Sequence, residues 1–204
     1  SLGVAAYPVT VLWIILIANA INLIDGMDGL AGGISAFAAM TMGVVAIIQG
    51  RFGAALLALT LAGAIAGFLV YNLPPARIFM GDSGAYFLGF MLAAIALMGI
   101  SRIATVGSLI IPLTLLIIPV MDTMAAVVRR VREGRHPFSP DKEHLHHKLL
   151  ALGLDERHIL AVIYGFSLYL SVVAITSVIL PEEANTYLVL VVWAGTMLGF
   201  YSLG

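Results

Sequence analysis

The sequence predicts an all-α bundle of transmembrane helices, and three observations carry that reading. Hydrophobic residues are 61% of the chain and charged residues 10%, where a soluble domain carries roughly 25% charged. Mean hydropathy is +1.07, too high for a globular domain with a large core. The apolar residues also fall into runs long enough to cross ~30 Å of hydrocarbon at ~20 residues each. A net charge of −1 gives no hint of nucleic acid, and the lack of cysteine excludes disulfides and thiolate metal sites.

About seven spans are expected, at 7–24, 31–49, 54–73, 84–100, 106–127, 158–180 and 186–203. We expect one membrane domain over 1–204, because every connection is short except 128–157. The first span breaks into Asp25-Gly26-Met27-Asp28-Gly29, where the glycines let a helix unwind. In the third span Gly63 and Gly67, and in the last Gly195 and Gly199, have the small-xxx-small spacing that suits close helix packing. The fourth span follows Gly81-Asp82-Ser83, which places Asp82 and Ser83 at a helix N-terminus. The long connection holds a short amphipathic helix. Ser139-Pro140-Asp141 reads as N-cap, proline at N1 and first-turn acid, Gly153 as its end, and Leu145, Leu149 and Leu152 as its apolar stripe. Ser1 is not a methionine and no basic segment precedes an apolar one. No signal peptide is visible, and we read Ser1 as a cut or processed start.

Basic residues orient the bundle. If the first span runs outside to inside, the inner loops carry Arg77, Arg129, Arg130, Arg132, Arg135, Lys142, Lys148 and Arg157, and the outer loops only Arg51 and Arg102. That is a strong positive-inside bias. The same choice puts Asp25, Asp28, Asp82, Asp122 and all five histidines inside, with Glu182 and Glu183 outside. The chemistry is expected to be cytoplasmic.

An ionised carboxylate in hydrocarbon costs on the order of 3 kcal/mol on insertion scales, so chains rarely carry one without a use. Asn19, Asn22, Asp25 and Asp28 recur every third residue at the end of the first span. Tyr71 to Gly84 returns the chain to the same face with Asn72 and Asp82. Asp82 could equally be a plain N-cap; the convergence of three carboxylates and an amide instead suggests a hard, oxygen-ligated cation that shares phosphate oxygens. His144, His147 and Lys148 lie on a shared face of the loop helix, where they could donate to phosphate or sugar oxygens. A zinc site would need a fourth well-placed ligand, and a bland solvated helix is the remaining alternative.

These stretches resemble the polyprenyl-phosphate N-acetylhexosamine-1-phosphate transferases. The carrying residues are Asn19-Ala-Ile-Asn22-Leu-Ile-Asp25-Gly-Met-Asp28-Gly-Leu-Ala, Asn72 with Phe79-Met-Gly-Asp82-Ser-Gly84, Pro119-Val-Met-Asp122-Thr123, and Asp141-Lys-Glu-His144-Leu-His146-His147. The His-x-His-His form looks like the branch that uses UDP-N-acetylglucosamine and starts teichoic-acid and related polymers; the phospho-muramoyl-pentapeptide branch usually shows three consecutive histidines. The resemblance implies a Mg²⁺-dependent (or Mn²⁺-dependent) transfer of sugar 1-phosphate from a UDP-sugar to polyprenyl phosphate, releasing UMP, with a homodimer left open. It implies catalytic roles for Asp25, Asp28 and Asp82, with Asp82 and Asp25 on the metal, and substrate contacts from Asn22, Asn72, His144, His146 and His147. Asp122 either lines the site or pairs with Arg129 or Arg130. Family members begin with more helices and an adjacent aspartate pair on an inner loop; no Asp-Asp occurs here. The chain therefore looks like the C-terminal portion of such an enzyme, incomplete by itself.

Two rivals come from other classes. An ion-coupled transporter would keep carboxylates in broken helices near mid-membrane, often within inverted repeats, and no such repeat is evident. An intramembrane aspartyl protease would want Gly-x-Gly-Asp, but position 79 is Phe.

Overall fold

The computed structural model describes residues 3–99, 110–136 and 144–202. After a short 3-10 turn, Gly3–Ala5, the chain forms α1 (Ala6–Ile24), α2 (Leu30–Ile48), α3 (Phe52–Asn72), α4 (Gly81–Met98), α5 (Ile110–Leu115), α6 (Ile117–Arg132), α7 (Leu145–Ala151), α8 (Glu156–Ile179) and α9 (Glu182–Ser202). No strand occurs among the described residues. Six stretches are long and apolar enough to cross a membrane: the turn with α1, then α2, α3, α4, α8 and α9.

The count of seven spans is not confirmed. The run expected at 106–127 is two helices that meet at Leu116, whose backbone (φ −102°, ψ 17°) leaves the helical region. Pro119 supplies the reason. It lacks the N–H that would bond to the Leu115 carbonyl four residues back, and its ring presses on that carbonyl. Helix α6 also runs past the expected end and finishes on Arg129, Arg130 and Arg132, cations that suit the negative end of its dipole.

Close approaches are made at glycines other than those the spacing suggested. On Gly89 of α4 an added Cβ would stand 2.6 Å from the Ala18 Cα and 2.9 Å from the Ile17 carbonyl oxygen. The α1–α4 contact is therefore made backbone to backbone. Trp13 Nε1 donates to the Ala93 carbonyl across the same seam at 3.1 Å. Gly43 admits Leu59 of α3, and Gly33 admits the Tyr164 ring of α8. Among the described residues Gly63, Gly67, Gly195 and Gly199 have no neighbour within 4 Å of an added Cβ, so the close approach expected of them is not made there. Gly89→Val would push a side chain into immovable backbone. The expected outcome is a loss of about 3 kcal/mol, read as a lower Tm and poor recovery from detergent, while Gly63→Val behaves as the parent.

The bundle has two chemically different ends. At one, Arg51 Nη1 donates to the Met98 carbonyl at 3.3 Å, meeting a carbonyl left over at the end of α4. A cavity of about 630 Å³ lies there, lined by Gln49, Arg51 and Asn185 among others, with no carboxylate or histidine among its described residues. Asp25, Asp28, Asp82, Asp122 and the α7 histidines gather at the other end.

Candidate active site at one end of the bundle

The α1–α2 loop forms because α1 stops at Ile24 and Gly29 takes φ +77°, a left-handed conformation that favours glycine. Three contacts from outside hold it. Asn72, buried at the end of α3, accepts from the Gly29 N–H at 3.0 Å and donates to the Ile78 carbonyl at 2.9 Å. Asp28 Oδ2 accepts from the Ala76 N–H at 2.9 Å. Tyr164 of α8 donates to the Gly29 carbonyl at 2.6 Å. Asn72 and Asp28 thus join the α1–α2 loop to the α3–α4 loop. These bonds all run to backbone.

Asp82 lies in the first turn of α4, exposed, and no side chain caps that helix. The plain N-cap alternative is therefore not what forms. Its Oδ1 accepts instead from Asn22 Nδ2 of α1 at 3.3 Å. Asp25, next to this pair, has its carboxyl pushed above the usual range, first by burial and then by the negative charge of Asp82. Asn19 donates to its own helix at Ile15 and takes no part.

Among the described residues no three His, Asp or Glu side chains gather closely enough to enclose a metal ion by themselves. Of the three converging carboxylates expected from the sequence, Asp28 gives its Oδ2 to the Ala76 N–H, while Asp25 and Asp82 stand close enough to feel each other's charge. A pair suits Mg²⁺, which usually takes one or two carboxylates together with waters and substrate phosphates.

The histidines approach from the opposite side. Asp122, buried in α6, holds His144 Nδ1 at 2.8 Å through Oδ2 and accepts from the Leu145 N–H at 2.8 Å through Oδ1. It pins the start of α7. The expected cap at Ser139 to Asp141 lies outside the described residues; the described helix starts at Leu145, ends at Ala151, and has Gly153 at φ +87° beyond it. Leu149 is buried, but Leu152 is 69% exposed and drops out of the apolar stripe.

His146 is the most informative of the three. It is 2% exposed, and both ring nitrogens are buried without a hydrogen-bond partner. Its ring lies against Gly26, where an added Cβ would be 2.7 Å from Nε2. His144 stacks parallel to it with centroids 6.1 Å apart, and His147, exposed, tilts over it at 4.2 Å. Gly26 is therefore the point where the histidine helix meets the aspartate loop. Unpartnered buried nitrogens next to Asp25 mark a place where a ligand or water atom completes the bonding.

Burial pushes His146 down to about 4, with His147 and His144 adding to the effect and Asp122 opposing it. The unfolded chain binds this proton near 6.5, while the folded chain refuses it until about 4. Between those values the unfolded state holds more protons, so this group's contribution to stability is present above 6.5 and is lost as pH falls toward 4. The expected result is a Tm that falls over that window, with a smaller fall in His146→Gln. Equal pH slopes for the two proteins would contradict the buried, neutral imidazole.

Comparison with known proteins fits this geometry. The description "Glycosyl transferase family 4" matches residues 1–100, which carry Asn22, Asp25, Asp28, Asn72 and Asp82. The chain belongs to this family. It is 44% identical over 179 residues to the probable undecaprenyl-phosphate N-acetylglucosaminyl 1-phosphate transferase of Bacillus subtilis, covering 87% of this chain and 50% of that protein. It is 40% identical over 167 residues to the decaprenyl-phosphate N-acetylglucosaminephosphotransferase of Mycobacterium leprae, covering 72% and 42%. With the undecaprenyl-phosphate alpha-N-acetylglucosaminyl 1-phosphate transferase of Escherichia coli K12 it shares 32% identity over 166 residues, covering 79% and 45%. The chain spans about half the length of the curated relatives it matches. Family membership and the six long apolar helices make it an integral membrane protein of the plasma membrane.

One contributor escaped sequence reasoning, and another was left between two roles. Tyr164 sits in the middle of an apolar run, and nothing local marks its hydroxyl as a brace for Gly29. For Asp122 the signal was present, a carboxylate inside an apolar segment, but its partner lies 22 residues on.

Proposed function

We propose that the protein carrying this chain transfers N-acetylglucosamine 1-phosphate from a UDP-sugar to polyprenyl phosphate, as the first membrane step of a cell-surface polymer such as teichoic acid. The observation that carries the reading is the meeting of the Asp25–Asp82 pair with the His144–His147 array at Gly26, at one end of a membrane bundle. A polyprenyl phosphate oxygen attacks the β-phosphorus of the UDP-sugar. A new P–O bond forms to the lipid, the bond to the α-phosphate oxygen breaks, and UMP leaves.

Asp82 and Asp25 would hold Mg²⁺, which when bound neutralises charge on the pyrophosphate. Asn22 fixes Asp82 through its amide. Asp28 and Asn72 keep the two loops in register, so that the carboxylates stand where the phosphates arrive. His147, open to solvent, donates to the nucleotide-sugar. His144 is oriented by Asp122, and His146 offers its two unpartnered nitrogens to a ligand atom entering beside Gly26. The site faces the cytoplasm in this reading, which the positive-inside bias supports.

The reading is tested with the purified protein, UDP-N-acetylglucosamine and polyprenyl phosphate in detergent. UMP release that requires both substrates and stops on chelation of divalent ions supports it; no UMP from any UDP-N-acetylhexosamine sinks it. UDP-N-acetylmuramoyl-pentapeptide as the sole accepted donor would assign the other branch. Sidedness is checked with Cys introduced at positions 136 and 183, since the chain has no native cysteine to confuse labelling. An impermeant reagent on intact cells is expected to reach position 183 and not 136, and the reverse would overturn the orientation.

A further inference from the structure

A second site stands on the other side of the histidine helix. Helices α6 to α9 enclose an apolar cavity of about 480 Å³, with Leu149, Val162, Phe166 and Val192 in its walls. Gly195 and Gly199 of α9 complete it, and the open space at both positions is what leaves room for the cavity. A neighbouring cavity of about 280 Å³ shares Leu145 and Phe200 with it and is lined by Arg129, Arg132 and Lys148. Asp122 also lines this rim, but both its oxygens already accept, from His144 and from the Leu145 N–H. An apolar cavity that adjoins a basic rim, at the basic end of the bundle, fits an anionic lipid.

We propose that an anionic glycerophospholipid occupies this pair of cavities, an acyl chain beside Gly195 and Gly199 and the phosphate among Arg129, Arg132 and Lys148. The reacting lipid is not the occupant. Its phosphate must reach Asp25 and Asp82, which meet α7 through His146, whereas Lys148 lies two residues on, about 200° around the helix. The bound lipid instead braces α7 from behind, against the same turn that Asp122 pins.

The test reads binding rather than turnover, so it is decided separately from the transfer reaction. The protein is purified in mild detergent, and its retained lipids are extracted and quantified by mass spectrometry against the membrane they came from. Phosphatidylglycerol or cardiolipin is expected to be enriched about tenfold over phosphatidylethanolamine. The double variant Arg132→Gln/Lys148→Gln removes charge from the rim. Gly195→Leu fills the apolar cavity from a position with room for a side chain, so it is expected to keep the parent's Tm and elution volume. Both are expected to lose most of the enrichment. Lipids retained in membrane proportion, enrichment unchanged in either variant, or polyprenyl phosphate found in place of a glycerophospholipid would each overturn the proposal.

Discussion

Asp82→Asn is expected to lower turnover at least about 1,000-fold, the equivalent of ~4 kcal/mol of transition-state stabilisation, while the protein inserts and elutes as the parent does. Asp82 is exposed in the first turn of α4 and accepts a hydrogen bond from the Asn22 amide. An amide in its place keeps the shape and can still accept that bond, so folding has little reason to suffer. The lost charge is what matters. With Asp82 neutral, Asp25 alone faces the cation, and a divalent ion held by one carboxylate loses much of its reason to stay. The neighbouring charge that helps raise the Asp25 carboxyl also disappears, so Asp25 should ionise at lower pH in the variant. Stabilisation of the parent against heat by millimolar Mg²⁺ is expected to vanish in Asp82→Asn. Near-normal activity in a folded variant would remove Asp82 from the metal.

Asp122→Ala is expected to cut kcat/KM for the UDP-sugar about 100-fold, with a smaller change in KM for the lipid. Each charge-assisted hydrogen bond is worth ~1.5–3 kcal/mol, and the buried Asp122 carboxylate makes two, to His144 and to the Leu145 N–H. Without it the first turn of α7 loses its anchor, and His144, His146 and His147 lose their common frame over Gly26. Asp122→Asn should be milder, about tenfold. The amide oxygen still accepts from Leu145, and its NH₂ can donate to Nδ1 in the other imidazole tautomer. Asp122→Ala with unchanged UDP-sugar kinetics would show that α7 needs no such tie.

The aspartate loop was legible because its residues are expensive where they stand. Carboxylates at the end of an apolar run, with glycines beside them, have few uses other than a site. The break at Leu116 was hidden by the same apolarity that revealed the spans: hydropathy does not register that Pro119 withholds an N–H. The glycine spacing misled for a related reason. Small-xxx-small permits close approach but does not supply the neighbour, and Gly63 and Gly67 have none among the described residues. Gly33 and Gly89, which do take close contacts, are met by Tyr164 and by the α1 backbone, neither of which is near in sequence. The histidines were read as donors to substrate from a shared helix face; His144 and His146 are buried where Asp122 of α6 and Gly26 of the α1–α2 loop meet them. Asn72 was read as a substrate-contacting amide; its bonds to the Gly29 N–H and the Ile78 carbonyl also join the two loops, a role that depends on where Gly29 and Ile78 come to rest.

The central claim is that the sugar moves together with its phosphate, and the β-phosphorus reports this directly. UDP-N-acetylglucosamine labelled at the β-phosphate is incubated with the protein, polyprenyl phosphate and Mg²⁺, and the products are separated into lipid and aqueous phases. Phosphoglycosyl transfer predicts that the label enters the lipid in step with the sugar, one for one, while unlabelled UMP appears in water. Label left in the aqueous phase as UDP while sugar reaches the lipid would mean that the glycosidic bond is the one broken, and would contradict the account.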